Sequence, residues 1–176
     1  MYIWVGINVD SQLEELGTRV REIEKKLGYS NFCDTLPMHI SLKISFPVSN
    51  ANAEQVINDI KEIYRRTSPF EIEVSGIEIF EGIAWVRMKR TEQLISLSNE
   101  LNSMLLSRHG VPLHEYDTDY KFHSTLFMGK DNEVREEFSM LEDISIPKKL
   151  TANRFVIGFS DSGELGTYSV LDEITL

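Results

Sequence analysis

Two short stretches of the sequence place a histidine and a hydroxyl residue two positions apart. They are "MHISLKISF", which contains His39 and Ser41, and "FHSTLFMGK", which contains His123 and Thr125. In a strand, residues i and i+2 point to the same face about 6.6 Å apart, so each stretch would offer one imidazole and one hydroxyl from a rigid support. The intervening apolar residues predict that the opposite face of each strand packs on a core.

Two imidazoles and two hydroxyls around one groove would suit phosphoryl chemistry. Because the ordinary pKa of histidine is about 6.5, one neutral imidazole can take a proton from an attacking hydroxyl while the other, protonated, gives a proton to the departing oxygen. Ser41 and Thr125 would donate hydrogen bonds to the non-bridging phosphate oxygens. Lys43 falls on the His39 face by the same alternation, and its long side chain would lean toward the phosphate. Such a site needs no metal and no cofactor.

Alternating helices and strands are predicted to position the two motifs. Each motif strand lies between two helices and is followed by a pair of strands, which makes a weak repeat of elements along the chain. The predicted elements include a strand at 2–9, a helix with a Ser11–Glu14 capping box that ends near Gly28, helices over about 53–66 and 91–107 and after Asp131, and final strands over about 150–159 and 165–171. This order is typical of an α+β domain with two related halves, about 1–90 and 91–176.

The two motifs resemble the hallmark of the 2H phosphoesterase superfamily, and within it the bacterial 2'-5' RNA ligase or RNA 2',3'-cyclic phosphodiesterase group. That hallmark is His, hydrophobic, Thr or Ser, hydrophobic, once in each half of the chain. His39-Ile40-Ser41-Leu42 matches it fully, and His123-Ser124-Thr125-Leu126 departs from it only at Ser124. The strand "GIAWVRMK" is similar to the aromatic-bearing strand of the family. The proline that is usual directly before the motif histidine is displaced to Pro37 in one copy and replaced by Phe122 in the other.

The resemblance implies both a fold and an activity. The fold would have two pseudo-symmetric lobes, each an antiparallel sheet with helices outside, around a central groove that carries the two histidine strands, with strands able to exchange between the lobes. The activity would be metal-independent opening of a 2',3'-cyclic phosphate, or cleavage of a 2'-5' linkage, with RNA ligation as the reverse reaction. His39 and His123 would be catalytic, and a small nucleotide or short RNA would be the ligand.

The composition limits the classes of ligand and location. The 28 acidic and 18 basic residues give a net charge of -10, which is opposite to the charge expected of a protein that follows a long phosphate backbone. Cys33 is the only cysteine, which excludes an intrachain disulfide and a cysteine cluster for zinc. No stretch approaches the ~20 apolar residues of a membrane helix. We expect one domain over 1–176, cytoplasmic and monomeric, with no membrane partner.

Other residues near the motifs allow alternative interpretations. Tyr120 and Trp85 would stack on a base, although packing at the rim or in the core is the more common role of such aromatic residues. His114, Asp117 and Asp119 would join His123 as metal ligands in a metal-dependent hydrolase, but their spacing fits no established zinc pattern. A module that binds nucleotides or phosphate without turnover is the third alternative.

Overall fold

The computed structural model describes residues 1–29, 36–141 and 144–176, so Cys33 lies outside the described residues. Its elements follow the chain in the order β1 Tyr2–Asn8, α1 Glu14–Leu27, β2 His39–Pro47, α2 Ala53–Arg66, β3 Phe70–Phe80, β4 Ile83–Met88, α3 Glu92–His109, β5 His123–Met128, α4 Asp131–Ser139, β6 Lys149–Ala152, β7 Arg154–Ser160 and β8 Ser169–Thr175. The α+β class predicted from the sequence is confirmed.

The strands form two antiparallel sheets of four. The first has the order β2-β1-β7-β8 and the second has the order β5-β4-β3-β6, so each sheet takes two strands from each half of the chain. β6 in the second sheet and β7 in the first are separated only by Asn153. This direct passage of the chain from one sheet to the other couples the two sheets covalently.

The helices cover the outer sides of the sheets. α3 packs on β2, and α2 packs on α3 and β8, whereas α4 packs on β4 and β5, and α1 packs on α4 and β5. In α1, Leu16, Val20 and Ile23 recur at steps of four and three and are all buried, which is the amphipathic pattern that seats a helix on a core. Among the helices of the described ranges, none combines the length and apolar character needed to cross a bilayer.

The predicted capping box at the start of α1 is wrong. Residues Asp10–Gln12 form a short 3-10 turn instead, and α1 begins at Glu14 with no side-chain cap on its first turn. Gln12 is used elsewhere: its amide accepts a hydrogen bond from the Thr151 backbone N–H at 2.6 Å and donates one to the Thr151 carbonyl at 2.9 Å. Because β6 is an edge strand, this side chain satisfies backbone groups that lack a strand partner.

β2 does not keep a strict two-residue alternation. Against β1, Val5 pairs with Lys43 while Gly6 pairs with Ser41, so an extra residue enters β2 at this point, and a second irregularity follows between the partners of Ile3 and Val5. A bulge puts two successive side chains on the same side of the strand and so interrupts the alternation, as Leu42 and Lys43, both buried, show. Ile40 and Leu42 are buried, as predicted, but the prediction that Lys43 shares the face of His39 is wrong.

Trp4 lies flat on the first sheet because two glycines leave room for it. Gly158 is its direct partner on β7, and a Cβ at Gly158 would overlap the indole Nε1 of Trp4. A Cβ at Gly6 would lie 2.9 Å from the other end of the indole and 2.8 Å from the Ile40 carbonyl oxygen. Glycine in a strand costs stability in general, and here it permits the close approach of a buried ring.

We expect Gly158→Ala to lower the free energy of unfolding by about 1–3 kcal/mol, because its methyl group and the Trp4 ring need the same space. Urea denaturation would measure the change. Gly129→Ala is the matched control, since a Cβ there meets its nearest atom only at 3.5 Å. In a Trp4→Leu background, the cost of Gly158→Ala should become smaller. An unchanged cost in that background would show that the two residues do not compete for space.

Candidate active site

The two motif strands meet at the facing edges of the two sheets. β2 is the edge of the first sheet, β5 is the edge of the second, and the two strands pack against each other. His39, Ser41, His123 and Thr125 line one groove with a volume of about 720 Å³. The structure therefore brings together the two imidazoles and the two hydroxyl residues that the sequence singled out.

Each imidazole is held by its own strand in the same way. Nδ1 of His39 lies 2.8 Å from the carbonyl oxygen of Pro37, and Nδ1 of His123 lies 2.5 Å from the carbonyl oxygen of Lys121. Because a carbonyl oxygen only accepts, Nδ1 must carry the proton in both rings. The neutral form of each ring then has its lone pair on Nε2, which is the nitrogen left to exchange a proton with a ligand.

Burial at the groove disfavours a charge on either histidine. It lowers the pKa of His39 to about 4, the hydrogen bond to the Pro37 carbonyl opposes this change, and positive charge on His123 lowers the pKa further. Burial also lowers the pKa of His123, against the effect of its bond to the Lys121 carbonyl. At neutral pH the groove thus holds two neutral imidazoles, and His39 is close enough to His123 for a charge on His123 to affect its pKa.

A tryptophan packs on each histidine. The ring centroids of Trp4 and His39 are 4.2 Å apart, and those of Trp85 and His123 are 4.4 Å apart, with interplanar angles of 35° and 33°. The sequence reasoning missed Trp4. The signal was present, since Trp-Val occurs in both "YIWVGIN" and "GIAWVRMK", the strands that pair with the two motif strands. Each of the two sheets thus contributes one imidazole that is packed against one indole.

Lys43 does not line the groove. Its side chain is 2% exposed, its ammonium group forms an ion pair with Asp117, and it donates a hydrogen bond to the Pro112 carbonyl at 3.3 Å. The bulge in β2 turns Lys43 under the loop of residues 111–122, and Ile44 lines the groove instead. A buried ion pair fixes the loop that forms one wall of the site. The predicted lean of Lys43 toward a phosphate is therefore replaced by a role in anchoring this wall.

Tyr120 and Trp85 both line the groove, but each already has partners in the protein. The Tyr120 hydroxyl is hydrogen-bonded to Ser41, and burial raises its pKa to about 12, which this bond opposes. Trp85 is 6% exposed and contacts Phe80, at a centroid distance of 5.8 Å, as well as His123. Stacking of a base on either ring remains a prediction.

The alternative metal site is not formed. Within the described ranges, no group of three or more histidine, cysteine or carboxylate side chains is arranged to hold a metal ion. Asp117 is engaged by Lys43, Asp119 by Arg90, and His114 accepts a hydrogen bond from the Tyr116 backbone N–H. The loop carboxylates Asp117 and Asp119 are thus already paired with basic side chains outside the loop.

Comparisons with known proteins agree with this fold. The model of a family described as the 2'-5' RNA ligase superfamily matches residues 9–163. TT0787 of Thermus thermophilus superposes with a TM-score of 0.64 over 100% of this chain and 98% of that protein, at 18% identity. E. coli LigT in apo form superposes with a TM-score of 0.59 over 99% and 96%, also at 18% identity. At such identities these two likenesses show the fold alone.

Sequence relatives cover less of the chain. A Bacillus mycoides (strain KBAB4) protein that is provisionally named a phosphoesterase is 23% identical over 109 residues, which are 60% of this chain and 59% of that protein. A provisionally named phosphoesterase of Bacillus cereus (strain B4264) is 26% identical over 76 residues, 42% of this chain and 44% of that protein. The chain therefore spans only about half the length of these relatives.

We expect NMR titration of the ligand-free protein to find Nδ1–H tautomers for both histidines, with a pKa of about 4 for His39 and a pKa below 6.5 for His123. In His123→Asn the pKa of His39 should rise, because a repelling charge is removed. Long-range proton–nitrogen spectra report both properties. A pKa near 6.5 for His39, unchanged in the variant, would contradict the burial and the coupling of the two rings.

Proposed function

The chain belongs to the 2'-5' RNA ligase superfamily, and from that premise we propose that it is a phosphodiesterase that opens a nucleoside or RNA 2',3'-cyclic phosphate. Cleavage of a 2'-5' phosphodiester, and its reversal as RNA ligation, would follow the same chemistry. The observation that carries the proposal is the convergence of two imidazoles on one groove, each with Nδ1 tied to its own backbone and Nε2 left for a ligand.

In the proposed reaction, the two histidines act on opposite sides of one phosphorus atom. One neutral imidazole takes a proton from water through Nε2 as the water oxygen bonds to phosphorus. The bond from phosphorus to O3' breaks, and the other imidazole, protonated, gives its Nε2 proton to that departing oxygen. The products are a 2'-phosphate and a free 3'-hydroxyl. Near symmetry of the two positions lets the polarity of the substrate decide which histidine is the base.

The remaining groups of the groove would stabilise the phosphate. Ser41 and Thr125 each lie two residues after a catalytic histidine and line the same groove. Their hydroxyls would donate hydrogen bonds to the non-bridging oxygens. The protonated imidazole supplies a positive charge beside the phosphate, and the anion in turn offsets the burial that disfavours this charge. Proton transfer and hydrogen bonding by these side chains complete the reaction without a metal ion.

A small nucleotide or short RNA is the ligand that we propose. E. coli LigT, which shares the fold at 15–17% identity, has been crystallised with 3'-AMP, with ATP and with NADP+. Those complexes support a nucleotide of similar size as the ligand of this protein. The setting that we propose is a cytoplasmic monomer.

We expect His39→Ala and His123→Ala each to lower kcat/KM for a 2',3'-cyclic mononucleotide by about 10²–10⁴-fold, because each removes one proton-transfer group. His114→Gln is the matched control, since this exposed histidine does not line the groove, and it should retain activity. Chelator should have no effect.

Normal turnover in either alanine variant would contradict the proposal, and loss of activity with chelator would favour a metal-dependent hydrolase. Calorimetry that shows nucleotide binding to the unaltered protein without any product would favour a binding module. Circular dichroism of each variant checks that the fold survives.

A further inference from the structure

The charges around the groove are unevenly distributed. The wall built from β1, β2 and the segments before β2 and β8 carries no lysine, arginine or carboxylate side chain among its described residues. Trp4, Leu36, Ile44 and Leu165 supply its apolar part. The other walls carry the acidic side chains of Glu81, Glu115 and Asp119 and one basic side chain, Lys121. A ligand in the groove therefore meets an apolar surface on one side and an acidic rim on the other.

Three basic side chains on the strands and loops around this rim are paired with acidic partners, whereas Lys121 packs on an aromatic ring. Lys43 is paired with Asp117, Arg90 with Asp119, and Arg87 with Glu78 at 3.0 Å. The Lys121 ammonium lies 4.5 Å from the ring centroid of Phe80, in a cation–π geometry. Among the described residues that line the groove, Lys121 is the only lysine or arginine, so no cluster of cations is present to receive further phosphates.

The position of Glu81 is fixed by the backbone. It occupies the tip of the β3–β4 hairpin with φ of +47°, followed by Gly82 with φ of +77°. A two-residue hairpin turn of this type requires a positive φ at both central residues, so the turn itself holds Glu81 in this conformation. Gly82 has no room for a side chain, because a Cβ there would lie 2.6 Å from the Gly129 carbonyl oxygen. The hairpin therefore holds an acidic side chain at the edge of the groove.

We propose that the site selects a singly charged cyclic phosphate joined to one nucleoside or to a smaller apolar group, and rejects oligonucleotides that end in the same cyclic phosphate. This selectivity rests on the proposed function and narrows its ligand, from a small nucleotide or short RNA, to the mononucleotide. The two histidines and the hydroxyls accommodate one phosphate, and the apolar wall accommodates a base or another uncharged ring. Each further phosphate of an oligonucleotide would lie near the acidic rim or against the apolar wall, where it is repelled or poorly solvated.

Three substrates with the same terminal base distinguish the effect of substrate charge on turnover from the effect of substrate length. They are a 2',3'-cyclic mononucleotide, a trinucleotide that ends in the same cyclic phosphate, and a trinucleotide whose internal linkages are uncharged methylphosphonates. At low salt we expect kcat/KM of the mononucleotide to exceed that of the charged trinucleotide by about tenfold or more, and the methylphosphonate trinucleotide to recover most of the difference. About 0.5 M salt should narrow the gap, because exposed charges are screened.

Variants of the three acidic rim residues test whether their charges cause the selectivity. Glu81→Gln, Glu115→Gln and Asp119→Asn combined should raise kcat/KM for the charged trinucleotide about threefold or more, and by a clearly smaller factor for the mononucleotide, which carries a single negative charge. The control combines Glu15→Gln, Glu54→Gln and Glu92→Gln, which change the net charge equally at exposed positions outside the groove. It should leave both substrates unchanged.

Every remaining outcome contradicts one specific claim. A charged trinucleotide that reacts as fast as the mononucleotide, or a methylphosphonate trinucleotide that is equally slow, would overturn the charge selection while leaving the phosphodiesterase activity established. An equal effect of the rim and control variants would overturn the role of the three rim residues. No turnover of any of the three substrates would overturn the proposed function, and the selectivity with it.

Discussion

The contact between β2 and β5 is the constraint on which the site depends. Each strand is the edge of its own sheet and carries one histidine, so neither sheet can form a two-histidine groove without the other. The chain enforces this contact by exchanging strands between the sheets and by passing from β6 to β7 with a single residue between them. Two edges that would otherwise be open to pairing with other chains are turned toward each other, and the space between them becomes the groove.

Around this contact, the functional side chains are held by groups that leave them little freedom. A backbone carbonyl two residues earlier fixes the tautomer of each imidazole, and an indole ring lies against its face. The Trp4 indole in turn depends on Gly6 and Gly158, which provide the flat surface on which it rests. Such restraint matters for proton transfer, since small displacements of the donor or acceptor lower the rate. In the first sheet, Gly6 and Gly158 thus position Trp4, and Trp4 in turn restricts the orientation of the His39 ring.

Much of this arrangement follows from local patterns in the sequence. The motif strands, their buried faces at Ile40 and Leu42, and the α+β class depend on two-residue and four-residue periodicity, which neighbouring residues determine. The position of Lys43 could not be obtained in this way, because a bulge in β2 is set by its pairing with β1, a strand that is distant in sequence. The 3-10 turn before α1 likewise carries a contact with the other half of the chain, that of Gln12 with Thr151, which local patterns do not predict. The stacking of Trp4 on His39 required both the strand pairing and the two glycines.

The most direct test of the central claim, that His39 and His123 hold one phosphate together, is an NMR titration of the intact protein with inorganic phosphate at neutral pH. We expect the Nε2 signals of both histidines to move with a single Kd, and one imidazole to take up a proton as the anion binds. His39→Ala should weaken the response of His123 to phosphate. A response from only one imidazole, or two responses with different Kd values, would contradict a shared phosphate site.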